Sequence, residues 1–155
     1  MRCAALLITL ALVELGNAAG GGKVLTEDPL TGLPLIPQTD SRLHLGNEPQ
    51  KIPDMTICKS KVQTDFYPLF DIKTSATLAW YAGHLPLFRK VHGFGMNRSQ
   101  DAFYKTDGTM IVGITGTPAP DGQDSEGYSV AYMHAEPGLS EKTIASLGAG
   151  KIVCQ

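Results

Sequence analysis

Apolar and polar positions along this chain change period several times, and each change marks an element. Over Tyr128–Ala135 the side chains alternate: Tyr128, Val130, Tyr132 and His134 fall on one side of an extended strand, Ser129, Ala131 and Met133 on the other. Thr109–Thr117 is a second strand signal, separated from a third, Ala102–Thr106, by Asp107-Gly108. That dipeptide between apolar runs predicts a hairpin, with positive φ expected at both central positions. Lys90–Phe94 is a shorter strand signal, and Gly93 and Gly95 beside it predict a bulge or a close approach to another backbone.

Thr74–Leu85 has the helical period instead. At 100° per residue Leu78, Tyr81, Ala82 and Leu85 form one stripe, with Trp80 and His84 together on the opposite side. Thr74 is the expected cap, and Pro86 ends the helix. A second, short helix is expected over Glu141–Leu147, capped by Ser140 and stopped by Gly148. Val62, Phe66, Leu69 and Phe70 suit a short helix or an irregular strand equally well. The order is helix, strands, helix. It predicts an α+β fold: an antiparallel three- or four-stranded meander with both helices packed on one face.

The first half of the chain follows other rules. Arg2 precedes the apolar run Cys3–Val13, and small residues at Gly16-Asn17-Ala18 follow, so residues 1–19 are expected to be a signal peptide. The run falls short of the about 20 residues a membrane-spanning helix needs. No other stretch reaches that length, so the mature chain is expected to be soluble, without a transmembrane segment, and secreted or periplasmic. Residues 20–54 open on three glycines and carry Pro29, Pro34, Pro37, Pro49 and Pro53, which predicts a flexible leader. Within it, Leu33-Pro34-Leu35-Ile36-Pro37 is apolar and fits a strap laid on the domain or on a partner. Residues 55–155 are then the single folded domain.

The signal peptide removes Cys3 and leaves Cys58 and Cys154, near the two ends of that domain. An even pair in an exported chain predicts one disulfide. Charge narrows the partners. The net charge is −2 with both signs interspersed, so neither nucleic acid nor an anionic membrane surface has electrostatic support. A protein or an envelope component is the expected partner.

The candidate chemistry is thin. His84, His92 and His134 lie on three different elements and lack the spacing of a metal site. Asp121, Asp124 and Glu126 share a polar loop without the closing Glu of a calcium loop. His92-Gly93-Phe94-Gly95 is glycine-rich but has no nucleophile elbow to serve. Asn97-Arg98-Ser99 matches a glycosylation acceptor. No catalytic residue, metal or cofactor is therefore assigned. Trp80 and His84 are the candidate binding residues, since tryptophan is enriched at interaction hot spots. The expected function is a non-enzymatic binding or structural module of the cell envelope or extracellular space. The alternatives are a small hydrolase pairing a histidine with a Ser, Asp or Glu, or an inhibitor or accessory subunit.

Overall fold

The computed structural model describes residues 25–37, 49–69, 73–95, 100–115 and 128–155. Residues 1–19, expected to be a signal peptide, Asn97-Arg98-Ser99 and the acidic segment Asp121–Glu126 lie outside the described residues.

The elements run β1 (Gln50–Ile57), β2 (Ser60–Leu69), α1 (Thr74–His84), β3 (Arg89–Phe94), β4 (Gln100–Tyr104), β5 (Met110–Thr115), β6 (Tyr128–Glu136) and α2 (Glu141–Ala145). One antiparallel sheet holds six strands in the order β1-β2-β6-β5-β4-β3. The expected meander is present as β3 to β6. It is extended by a β1–β2 hairpin that docks along β6, so the sheet has six strands rather than three or four. The leader–domain boundary expected at 54/55 consequently falls inside β1.

The hairpin was hidden by its turn. Cys58 and Lys59 occupy the two turn positions with φ of 49° and 73°. Both angles suit a tight hairpin turn, but neither residue is the Gly, Asn or Asp that usually signals one. Prolines hid it further. Pro53 sits on the edge strand, where pairing slips between Ile52 and Met55. Pro68 lies past Gln50↔Phe66, the last β1 pair, where β2 is paired only with β6. Both are positions where a missing N–H is tolerated.

The helices lie on opposite faces of the sheet, not on one. Along the middle of β4, β5 and β6 apolar residues fall on both faces, so both need cover. Phe103, Val112, Val130 and Tyr132 pack with Tyr81 and Leu85 of α1. Ala102, Ile111, Ala131 and Met133 pack with Ile144 of α2. Ser140 caps α2 as expected, its Oγ accepting from Thr143 N–H at 3.2 Å. Thr74 does not cap α1: it is the first helical residue, after an N-cap at Lys73 that makes no side-chain cap.

The bulge expected at Gly93 appears as a register slip between His92 and Phe94. Gly95 and Gly148 meet backbone to backbone: a Cβ on Gly148 would lie 2.9 Å from Gly95 Cα. In the β4–β5 turn only Gly108 has positive φ, 69°. Asp107 contributes its side chain instead, accepting from Thr109 Oγ1 at 2.6 Å and Thr109 N–H at 3.0 Å. Those bonds hold its carboxyl down to about 2.

Cys58 and Cys154 form the expected disulfide, 96 residues apart with Cα atoms at 5.3 Å. It fastens the β1–β2 turn to the end of the chain. Residues 152–154 form no strand; Val153 N–H donates to Ser146 Oγ at 2.9 Å instead.

Candidate functional site

α1 packs on the face formed by Phe103 of β4, Val112 of β5 and Tyr132 of β6, with Tyr81 wholly buried beneath it and Leu85 nearly so. Its next flank turns outward and leaves a groove of about 390 Å³. Leu78, Ala79, Ala82 and Leu85 form the helix wall, and Phe88 and Phe103 the opposing apolar surface. Ala79 and Ala82 are three apart, so two small side chains stand on adjoining turns and leave room between helix and strand. Pro86 closes one end. The next residue, Leu87, is 86% exposed at the turn that leads into β3.

The strand side of this groove is charged. Lys90 lines it. Lys90 pairs with Phe103 and His92 with Asp101 across β3 and β4, which places all four side chains on the α1 face. Asp101 receives both neighbours: His92 Nδ1 lies 2.7 Å from its Oδ1, and Lys90 Nζ 3.4 Å from its Oδ2. The Asp101 side chain is only 13% exposed, whereas those of His92 and Lys90 are 71% and 57% exposed. β3 ends the sheet, and among the described residues no strand pairs with its outer edge.

Trp80 and His84 come together as the helical period requires. Their rings stack at 3.9 Å and 13°, and His84 Nδ1 lies 2.8 Å from Trp80 O. Trp80 is half-buried against the core beneath α1, and His84 is exposed. On the helical wheel they occupy the flank of Tyr81 opposite Leu78 and Ala82, so they stand outside the groove. His134 lies on β6 across from Gln63 and Met110, three strands from His92, roughly 14 Å at sheet spacing. Among the described residues, no three His, Cys, Asp or Glu side chains are grouped to hold a metal.

Leu33, Leu35 and Ile36 pack on the α1 side of the sheet, so this part of the leader is the strap. Residues 26–35 fold into a narrow loop, closed by Leu35 N–H to Thr26 O at 2.9 Å and Asp28 N–H to Leu33 O at 2.8 Å. Buried Asp28 organises it. Its Oδ2 accepts from Thr31 N–H and Oγ1, and its Oδ1 accepts from Tyr67 on β2 at 2.8 Å. A second link runs through two phenols. Ile36 N–H bonds the Tyr81 oxygen. Tyr132 donates to Pro34 O at 2.8 Å. With that one proton committed, Tyr132 accepts from Tyr81 at 2.5 Å. Burial pushes the Tyr81 phenol up to about 12. Burial and the Asp28 carboxyl raise Tyr67, and burial and Tyr81 raise Tyr132, so all three remain neutral donors.

Sequence reasoning missed the groove, the His92–Asp101 pair and the Asp28 anchor. The last had a signal: Asp28-Pro29-Leu30-Thr31-Gly32 is a side-chain-closed turn sequence. The others required the β3–β4 register and the packing of α1 on Phe103. The whole describes a two-faced antiparallel-sheet domain with an open groove at one edge. No protein-family model, curated protein or solved structure matches this chain. Among the described residues no helix is long and apolar enough to cross a membrane.

Proposed function

We propose that this chain is an exported, non-enzymatic binding module, acting in the periplasm or extracellular space, with its ligand site in the groove between α1 and β3. The groove carries the reading. It is apolar, it adjoins a strand edge that no other strand pairs with among the described residues, and the exposed Leu87 stands at its end. The disulfide suits an oxidising compartment. Trp80 and His84 form a separate stacked patch on the other flank of α1 and offer a second contact for the same partner, a protein or envelope component.

The test is crosslinked capture by the mature protein in its native envelope or culture fluid. Ala82→Trp fills the groove from an exposed helix position and should abolish capture while leaving the thermal melt unchanged. Capture undiminished by Ala82→Trp and lost in His84→Ala would move the site to the Trp80–His84 patch.

One observation favours the hydrolase reading: His92 and Asp101 form the oriented base pair that acyl-transfer chemistry uses. The imidazole is 71% exposed, however, which leaves little to exclude bulk water from it. His92→Ala abolishing hydrolysis of model esters or peptides would establish that reading instead. An inhibitor or accessory subunit would use the same edge and groove.

A further inference from the structure

Resting on that reading, we infer that the groove takes an extended acidic segment of a partner protein, added as a further strand on the outer edge of β3 with apolar side chains seated under α1. Three independent features define this occupant.

The first is the strand edge. β3 is the last strand of the sheet, among the described residues no strand pairs with its outer edge, and such an edge is a ready template for another extended chain; just past it Gly95 N–H is already taken by Leu147 O, which leaves Arg89–Phe94 for pairing. The groove runs beside that edge and not across the middle of the sheet, since Lys90 of β3 and Phe103 of β4 line it. A helix wall beside an open strand is a geometry that suits a strand better than a compact ligand.

The second is the period of the occupant. Successive side chains on an added strand point to opposite faces, and those on one face repeat at about 6.8 Å. Every second residue would enter the space left by Ala79 and Ala82, and apolar side chains suit a lining of Leu78, Phe88 and Phe103. Exposed Leu87 extends the apolar surface past the end of the groove.

The third is charge. On the α1 face of the edge the charged groups are Lys90 and Asp101, with the His92 ring beside them. Asp101 is withdrawn, 13% exposed, beneath the more exposed Lys90 and His92 side chains, so the exposed charge at the rim is the Lys90 ammonium. An incoming chain therefore meets Lys90 Nζ and the His92 ring before it meets the carboxylate. Carboxylates flanking the apolar anchors complement that rim, and basic residues there would face like charge. Edge lysines and bulges also deter self-association, and β3 has both. The lysine discriminates by charge, guarding the edge against another copy's Lys90 while favouring an acidic chain, and the slip between His92 and Phe94 confines regular pairing to Arg89–His92.

The experiment uses the mature protein with its disulfide intact and three synthetic peptides: alternating Glu and Leu, alternating Lys and Leu, and the Glu–Leu peptide N-methylated at alternate amides. Affinity is read by calorimetry, and the site by backbone amide shifts. The Glu–Leu peptide should bind with shifts concentrated in Arg89–Phe94 and Leu78–Leu85. Binding should weaken roughly tenfold or more in Lys90→Glu and for the Lys–Leu peptide, and disappear on N-methylation. Equal binding of the two charge patterns would overturn the acidic assignment. Equal binding of the N-methylated peptide would overturn strand addition. If no peptide binds while Ala82→Trp still abolishes capture of the native partner, the strand occupant is refuted and the groove stands. If Ala82→Trp also leaves capture intact, the groove reading falls with it.

Discussion

Asp65 is a buried carboxyl that works against the fold around it. It is 3% exposed on β2, and among the described residues its Oδ2 has no hydrogen-bond partner. Burial first, then the charge of Asp28, raises its pKa; Lys51, paired across β1, only partly offsets them. A carboxyl whose folded pKa exceeds its unfolded value favours folding below the unfolded value. That contribution is lost as pH rises through the folded value. At neutral pH Asp65 is therefore a net cost. Asp65→Asn should raise the urea midpoint at pH 7, and the gain should shrink as the pH is lowered through the raised pKa. Tyr67→Phe has the opposite sign. It leaves Asp28 Oδ1 buried without its donor and should cost about 1–3 kcal/mol by urea melts. Faster amide exchange at Asp28 and Leu35 would accompany it, because their N–H groups close the strap. The strap's apolar run was legible in the sequence. The tyrosines that hold it were not, because they come from β2, α1 and β6.

At the scale of elements, local signals succeeded where the turn chemistry was conventional. Ser140 before Glu141–Ala145 and the Asp107-Gly108 turn both came from residue type. The β1–β2 hairpin failed that test, since Cys58 and Lys59 hold left-handed backbone that ordinary side chains disfavour. Lys59→Gly should therefore stabilise the domain by about 0.5–1 kcal/mol; an unchanged melting midpoint would count against strain at this turn. Gly108→Ala should do the reverse. Its Cβ would fall 1.9 Å from Leu139 O, and φ there is 69°. A loss of more than about 1 kcal/mol is expected from thermal or urea melts.

At the scale of the whole molecule, the described residues form a sheet with two covers and a disulfide between its turn and the chain end. The strap and α1 cover one face, α2 and the closing segment the other. The Cys58–Cys154 bridge restrains the second cover by joining the chain end to the β1–β2 turn. A loop of this length gives up to about 4.7 kcal/mol in the chain-entropy model, though 2–4 kcal/mol is typical. The double variant Cys58→Ser/Cys154→Ser should lose about 2–4 kcal/mol in urea. Its groove lies on the α1 face, opposite α2, so peptide affinity at temperatures well below the melt should change little. Coupled loss of binding and stability would show that the two faces unfold as one.

Sequence alone determined what depends on neighbours along the chain: the period of α1, the alternation in β6, the cap of α2 and the meander. It also pointed to the cysteine pairing, because reading residues 1–19 as a signal peptide leaves Cys58 and Cys154 as the pair the structure joins. Tertiary structure decided what depends on distant partners. Both faces of the central strands are apolar, so periodicity could not say which face each helix would take. Register placed Asp101 between His92 and Lys90, and the packing of α1 on Phe103 and Tyr132 turned two outward alanines into the wall of a groove. Those are relations between elements. They are set by packing and strand pairing across the sheet, which no local pattern encodes.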